Sequence, residues 1–276
     1  MVVGRYDRTE VLIYTTSNET CTTRYEALNA KNPSSVESRW GIRIVEEDGT
    51  LKKIADGIAL LDLSVAMGNQ QMVVHPTLLW DDKDVILVDT GFPGMLTSIR
   101  DEMERAGFAL ERLSKVILTH QDYDHIGGLP EIQQSVGPVE VLAHDFDRPY
   151  IEGEKLLIKH DPSRGTPPRA KVDQLIGEGD ILPYAGGLRV IFTPGHTPGH
   201  ISLYHLESQS LITGDATVSN DGELLGPNEK FTPDMPLALK SLARFTDFDI
   251  KTALCYHGGI CDHDVNAQFA RLATRA

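Results

Sequence analysis

The segment LTHQDYDHIGG, residues 118–128, constrains the fold of this chain more than any other. It follows the apolar run KVIL and places four potential metal ligands within six residues: His120, Asp122, Asp124 and His125. Imidazole nitrogens and carboxylate oxygens bind zinc, iron and manganese, which need several such atoms within a few ångströms. The spacing predicts that His120 and Asp122 can reach one ion, and that Asp124 and His125 can face a second.

Three later segments repeat the order of strand, sharp turn and ligand. They are TPGHTPGH with His196, TGDA with Asp215, and HGG with His257. A single His or Asp at a strand end is usually a cap or a turn residue. Four such signals in this order instead predict a metal site at one end of the sheets, with seven ligands, enough for two ions.

The hydrophobic pattern predicts strands and helices in a repeated order. Strand-like runs occur at IALLDLSV, MVVHPTLLW, DVILVDT and KVILT, and later at LRVIFT, ISLYHL, SLIT and KTALCYH. Helical patterns occur at about 94–107, 127–136, 236–246 and 262–275. Strands come first in each half and helices follow, which predicts two packed sheets with helices outside.

Two regions differ from this pattern. Residues 1–55 are polar and rich in turn residues, and we interpret them as an N-terminal extension or arm preceding a main domain at 56–276. The arm either pairs with a neighbouring subunit, giving a homo-oligomer, or is a partly ordered extension. Residues 144–180 are rich in Asp, Pro, Gly and Arg, with a helix-like patch near 150–159, and we interpret them as an insertion over one face.

Composition narrows the partners and the location. The formal charge is −14, which argues against nucleic-acid binding, because that depends on neutralising phosphates. No apolar run reaches the length of a membrane span, and the N-terminus lacks the apolar stretch of a signal peptide. The expectation is a cytoplasmic protein acting on a small molecule, with neither nucleic acid nor membrane as a partner.

The four motifs together resemble the metallo-β-lactamase superfamily, in the branch of glyoxalase II-like hydrolases and quorum-quenching lactonases. The resemblance covers roughly Ile58 to the C-terminus, through the order HxxxDH, TPGHTPGH, TGDA and HGG. It implies an α+β fold, an αββα sandwich with the metal site at one edge of the two sheets. Residues 56–276 would then form the catalytic domain.

The resemblance also implies a role for each motif residue. His120, Asp122 and His196 resemble the ligands of the first metal, and Asp124, His125 and His257 resemble those of the second. Asp215 resembles the carboxylate that bridges both. Asp89 in VDTG resembles a carboxylate that orients a ligand histidine from behind. His200 is interpreted as a hydrogen-bonding turn residue rather than a ligand.

Asp122 departs from the family pattern, which is HxHxDH where this sequence has HxDxDH. An anionic oxygen in place of a neutral imidazole adds a negative charge to the first site and favours harder ions. Two divalent ions are therefore expected, with zinc first and manganese or iron as alternatives, because zinc also accepts carboxylate oxygens.

The implied activity is that of a dinuclear metal-dependent hydrolase. A hydroxide bridging the two metals would attack an ester, a lactone or an activated aryl ether, and Asp124 would handle the proton. An acyl-homoserine lactonase is an alternative, although Val218 stands where those lactonases carry a tyrosine. A non-haem di-iron enzyme activating oxygen or nitric oxide is another, and a binding protein without catalysis is the third.

Overall fold

A computed structural model describes residues 35–37, 43–45, 51–67 and 70–275 of the protein. Its strands are β1 Ser35–Glu37, β2 Arg43–Val45, β3 Lys52–Ala55, β4 Ile58–Leu60, β5 Leu63–Met67, β6 Gln70–Val74, β7 Thr77–Trp80, β8 Val85–Val88, β9 Lys115–Ile117, β10 Glu140–Ala143, β11 Gln174–Leu175, β12 Ile181–Leu182, β13 Leu188–Phe192, β14 Ile201–His205, β15 Ser210–Gly214, β16 Val218–Asn220, β17 Glu223–Leu225, β18 Thr252–Cys255 and β19 Gly259–Cys261. Its α-helices are α1 Leu96–Arg105, α2 Tyr123–Ile126, α3 Leu129–Val136, α4 Arg148–Ile151, α5 Met235–Leu242 and α6 Val265–Ala273. Short 3₁₀ helices occur at Leu110–Arg112, Pro162–Arg164, Glu229–Phe231 and Ala243–Asp247.

Two large sheets dominate the architecture. The first has seven strands in the order β11-β10-β9-β8-β7-β4-β3, and the second has six in the order β12-β13-β14-β15-β18-β19. A four-stranded sheet, β1-β2-β5-β6, and the hairpin β16-β17 complete the described strands. The pairs β8–β9, β9–β10, β10–β11 and β15–β18 are parallel, and the remaining pairs in the two large sheets are antiparallel.

The central strands are apolar on both faces, because each face packs against another layer. In β8, Ile86 and Val88 belong to the core between the two sheets, whereas Val85 and Leu87 face the helical side. This alternation follows from the two-residue repeat of a strand. Strands buried on both sides read as unbroken apolar runs, as VILV does here.

Helices cover the outer face of each large sheet. Ile99 of α1 and Ile132 of α3 pack in the first outer core, while Leu242 of α5 and Phe269 of α6 pack in the second. The predicted α+β fold, an αββα sandwich, is therefore confirmed. None of the helices in the described part of the chain has both the length and the apolar character that crossing a bilayer requires.

Two predicted strands are each divided between sheets. The run MVVHPTLLW forms β6 in the four-stranded sheet and β7 in the seven-stranded sheet. Pro76 lies at the break, where a residue without an N–H cannot continue the ladder. IALLDLSV divides likewise into β4 and β5.

The predicted helix-like patch near 150–159 was wrong in extent, because α4 ends at Ile151 and Gly153 takes a φ of 78°.

The predicted arm and insertion are only partly described. Residues 1–34 lie outside the described residues. Within 35–55, β2 pairs with β5, and β3 pairs with β4. Within 144–180, α4 and a 3₁₀ turn precede β11, which extends the seven-stranded sheet beside β10.

The predicted ligand segments leave the sheets at one edge. β8 and β9 are parallel neighbours in the first sheet, and β15 and β18 are parallel neighbours in the second. Their carboxyl ends therefore open in pairs towards the same edge, followed by Asp89, His120, Asp215 and His257 respectively.

The glycine pair in this edge is required for close approach rather than for a left-handed backbone. Gly127 and Gly128 have φ of −61° and −78°, which any residue adopts. A Cβ on Gly128 would overlap the carbonyl oxygen of Thr90, and one on Gly127 would overlap that of Gly91. The backbone of Thr90 also donates to the carbonyl of His125 at 2.7 Å. The turn after β8 is thus pressed against the end of α2.

One buried carboxylate joins the insertion to two of the edge loops. Asp147 is fully buried and accepts four hydrogen bonds. Its donors are the backbone and side-chain nitrogens of Gln121 at 3.0 and 3.2 Å, the hydroxyl of Thr197 at 2.6 Å and the backbone of Gly199 at 2.8 Å. Because each oxygen receives two donors, the group must be an ionised carboxylate to satisfy them all.

Replacing Asp147 with Asn should destabilise the protein by about 3 kcal/mol, because an amide NH₂ would face two donors and leave them unsatisfied. The free energy of unfolding from urea titration measures the effect. Asp145→Asn is the matched control, since Asp145 is exposed and forms a surface ion pair with Arg148 at 3.1 Å; it should change stability by no more than about 0.5 kcal/mol. Equal losses in the two variants would contradict this account.

Candidate metal centre

The first group of predicted ligands gathers where the two sheets meet. Ligand atoms of His120, Asp122, His196 and Asp215 all lie within 4.8 Å of one another, and the four residues are buried. Asp122 Oδ2 lies 3.3 Å from His120 Nε2 and 2.9 Å from His196 Nε2. We call these four residues the first cluster. It combines the loop after β9 with the loops after β13 and β15.

The second group lies beside the first. Ligand atoms of Asp124, His125 and His257 lie within 4.8 Å of one another, and we call them the second cluster. Asp215 faces both: its Oδ1 is 3.2 Å from His125 Nε2, and its Oδ2 is 3.3 Å from His196 Nε2 and 3.5 Å from His257 Nε2. All seven predicted site residues therefore come together in two adjoining groups.

Three of the histidines are oriented by hydrogen bonds to Nδ1, the ring nitrogen that faces away from the clusters. His125 Nδ1 donates to Asp89 Oδ2 at 2.9 Å, as the resemblance implied for Asp89. His120 Nδ1 lies 3.0 Å from the hydroxyl of Thr119, which itself donates to Asp89. His196 Nδ1 lies 3.1 Å from the hydroxyl of Thr232. In each ring the other nitrogen, Nε2, points into a cluster, as a ligand nitrogen must.

The residues present fit divalent metal ions. Four buried atoms of the clusters make no hydrogen bond of acceptable geometry among the described residues, although the second and the fourth lie 3.2 Å apart: His120 Nε2, Asp215 Oδ1, Asp122 Oδ1 and His125 Nε2. Leaving such an atom unsatisfied costs about 1–3 kcal/mol. Coordination would satisfy all four, and a donor set of imidazole nitrogens and carboxylate oxygens suits zinc, manganese or iron.

The carboxylates are held in the anionic form that metals bind. Burial alone would raise the pKa of Asp122, but His120, His196 and Lys159 hold that pKa well below its usual range. Burial would likewise raise the pKa of Asp215, yet the neighbouring imidazoles hold it well below the usual value. Both groups are therefore ionised across the physiological range.

The imidazoles of the second cluster respond to the same charges in the opposite direction. Burial would lower the pKa of His257, but Asp215 and Asp124 raise it to about 10. Burial would also lower the pKa of His125, which Asp89, Asp215 and Asp124 raise well above its usual range. In the metal-free protein at neutral pH, protons on these rings balance the carboxylates.

His200 stabilises the turn that carries Asp215, in line with its interpretation as a turn residue. Its Nε2 lies 2.9 Å from the backbone nitrogen of Asp215 and must accept, because a backbone N–H can only donate. Nδ1 is then protonated and donates to the hydroxyl of Thr193 at 2.8 Å. Burial and the nearby rings of His120 and His196 hold the pKa of His200 well below its usual range, which keeps the ring neutral.

Two residues in contact with the clusters were missed from the sequence. Lys159, in the insertion, forms an ion pair with Asp122 Oδ2, and its Nζ lies 2.7 Å from His196 Nε2. Tyr256 donates from its hydroxyl to the carbonyl of Asp124 at 2.5 Å, and its ring lies 3.8 Å from that of His125. Lys159 belongs to no motif. Tyr256 directly precedes His257, which is the one signal that could have drawn attention to it.

The chain also matches a known protein family and several of its members. The family model described as Metallo-beta-lactamase superfamily matches residues 71–257, from β6 to the last predicted ligand. Two relatives come from Bacillus subtilis strain 168. The probable metallo-hydrolase YflN is 29% identical over 224 residues, which cover 71% of this chain and 82% of YflN. The probable metallo-hydrolase YybB is 31% identical over 164 residues, which cover 59% of this chain and 70% of YybB.

A solved structure shows the same fold at lower identity. The metallo-beta-lactamase family protein TTHA1429 from Thermus thermophilus superimposes with a TM-score of 0.65 at 22% identity, covering 81% of this chain and 80% of that one. The family-model match over residues 71–257 agrees with the two-sheet fold and with the ligand loops at the strand ends, and all three indicate the same family. This chain belongs to the metallo-beta-lactamase superfamily.

Proposed function

We propose that the protein is a dinuclear metal-dependent hydrolase. The observation that carries this proposal is the position of Asp215 between the clusters, with Oδ1 towards His125 and Oδ2 towards His196 and His257. A carboxylate so placed can hold two ions side by side, and two-metal sites are typical of hydrolytic enzymes. Both Bacillus relatives are described as probable metallo-hydrolases, which supports hydrolysis as the reaction class.

The ligands divide between two ions. His120, Asp122 and His196 would hold the first, and Asp124, His125 and His257 the second, with Asp215 serving both. When bound, divalent ions in such a site acidify water and polarise the oxygen of the bond to be cleaved.

Asp124 is the residue we assign to proton transfer. Its carboxylate is 21% exposed, whereas that of Asp215 is 10% exposed, so it can exchange a proton with solvent more readily. Its Oδ2 lies 3.3 Å from His257 Nε2, within the second cluster. Asp124 would therefore accept a proton from the attacking water and deliver it to the leaving oxygen.

The surroundings of the first cluster suit an ester, a lactone or an activated aryl ether with an apolar group. Phe231 is 48% exposed and directly precedes Thr232, whose hydroxyl contacts His196. Ile158, 40% exposed, directly precedes Lys159 on the other side of the same histidine. Val218 offers no hydroxyl to a substrate carbonyl, which makes acyl-homoserine lactones the weaker substrate class.

Zinc is the metal we propose, with manganese or iron as alternatives. The first cluster holds two carboxylates, Asp122 and Asp215, and two imidazoles, a set that zinc accepts and that harder ions favour. A carboxylate-rich site loaded with iron would instead support the oxidative alternative.

Elemental analysis of the purified protein should give about two zinc or manganese ions per chain, because two ligand clusters adjoin. Asp215→Asn should reduce this to one ion or fewer and lower hydrolysis of an ester and lactone panel at least about a hundredfold. Asp221→Asn is the matched control, since Asp221 is an exposed carboxylate six residues further along the chain; it should retain both metal and activity.

Other metal contents would contradict the proposal in distinct ways. Iron as the main metal, with visible absorption and no hydrolysis of the panel, would favour the oxygen-activating alternative. Less than one ion per chain of any metal would exclude a dinuclear site.

Metal affinity should rise with pH well beyond the ordinary histidine range. His257, with its pKa raised to about 10, is protonated between pH 7 and pH 8.5 in the metal-free protein, and it must lose that proton to bind an ion. The apparent affinity for zinc should therefore rise at least about tenfold per pH unit across this interval. Chelator competition measures it. A plateau above pH 7.5 would show instead that His257 has an ordinary pKa.

A further inference from the structure

Lys159 reaches the first cluster from outside the ligand motifs. Its ammonium contacts Asp122 Oδ2 and lies 2.7 Å from His196 Nε2, and its side chain is only 20% exposed. The contact joins residues 37 positions apart, between the insertion and the loop after β9. None of the reaction steps assigned above uses this lysine.

The backbone beside Lys159 is fixed to the same loop that carries Asp122. The nitrogen of Ile158 donates to Gln121 Oε1 at 2.9 Å, and Gln121 donates in turn to Asp147. Leu157 is 4% exposed and packs in the core of the first sheet. Two consecutive residues before the lysine are therefore anchored, so its approach to Asp122 belongs to the fold of the insertion.

The atoms that contact the ammonium are the atoms that a metal would use. His196 Nε2 has two contacts, with Lys159 Nζ at 2.7 Å and with Asp122 Oδ2 at 2.9 Å. Whether Nε2 accepts from the ammonium or donates to Asp122, its lone pair is not available to an ion until these contacts are broken. A cation beside Asp122 also repels a divalent ion directly, in a buried place where charge interactions are strong.

We propose that Lys159 competes with a divalent ion for Asp122 and His196, so that the first cluster binds its ion more weakly than the second. In the second cluster, the ion-pair contacts of Asp124 among the described residues are with imidazoles, at 3.3 Å from His257 and 3.9 Å from His125, rather than with a lysine. The ammonium of Lys159 thereby makes occupancy of the first cluster dependent on the free metal concentration. This inference rests on the proposed dinuclear centre.

Calorimetric titration of the metal-free full-length chain with zinc tests the competition. Wild type should bind a tight ion and a weak ion. Lys159→Met keeps a chain of similar length without the charge, and should tighten the weak step at least about tenfold while leaving the tight step unchanged. Lys159→Arg keeps the positive charge and should leave the weak step weak.

The matched control is Lys155→Met, which removes a lysine from the same insertion. Lys155 is exposed, and its Nζ lies 5.3 Å from the ring of Tyr150. Because each variant loses one lysine, Lys155→Met has the same net charge as Lys159→Met. It should titrate like wild type. Thermal unfolding of each metal-free variant shows whether it has folded.

The outcomes separate this inference from the proposed function. Two ions bound with the same affinities in wild type and Lys159→Met would overturn the competition and leave the dinuclear centre standing. A weaker second ion in Lys159→Met would also overturn it, because the lysine would then assist binding. No zinc bound by any folded variant would contradict the metal centre itself.

Discussion

The structure depends on confining three carboxylates, those of Asp122, Asp124 and Asp215, to one small buried volume. Like charges at such separations repel strongly where water is excluded. The protein offsets this with positive groups from separate parts of the chain: protonated imidazoles at His125 and His257, and the ammonium of Lys159. A divalent cation can take the place of the imidazole protons and of the ammonium. The three carboxylates are therefore neutralised by positive groups of the protein in the metal-free state, and would be neutralised by cations in the metal-bound state.

The two packed sheets hold these charged residues in place. Parallel neighbours β8 and β9, and β15 and β18, bring four strand ends to one edge, and the core between the sheets fixes their spacing. The next layer is made of hydrogen bonds. Asp89 accepts hydrogen bonds from His125 and Thr119, and His200 accepts one from the backbone N–H of Asp215. Apolar packing thus sets the position of each ligand, and buried polar contacts set its direction.

Sequence reasoning reached the ligands and the layers because both have local signatures. His196 and Asp215 each follow an apolar strand and a glycine or proline turn, and the central strands read as unbroken apolar runs, as β8 does. Contacts across long distances in sequence have no such signature. Asp147 bonds Gln121 across 26 residues, and Lys159 meets Asp122 across 37. An apolar run likewise does not show which sheet a strand joins, so the sequence predicts unbroken strands around Asp62 and Pro76 where the structure has breaks.

The tie between Asp147, Gln121 and Gly199 bears on how this protein could change its specificity. Surface insertions are commonly the exchangeable part of an enzyme, since their ends are the only fixed points. Here the first residues of the insertion are also bonded, through the buried Asp147, to the loops that carry the metal-site residues. Recombination at 144–180 would therefore have to transplant both Asp147 and Ile158 together with their partners. Variation in this lineage should be concentrated at 161–169, the mostly exposed stretch between Lys159 and β11.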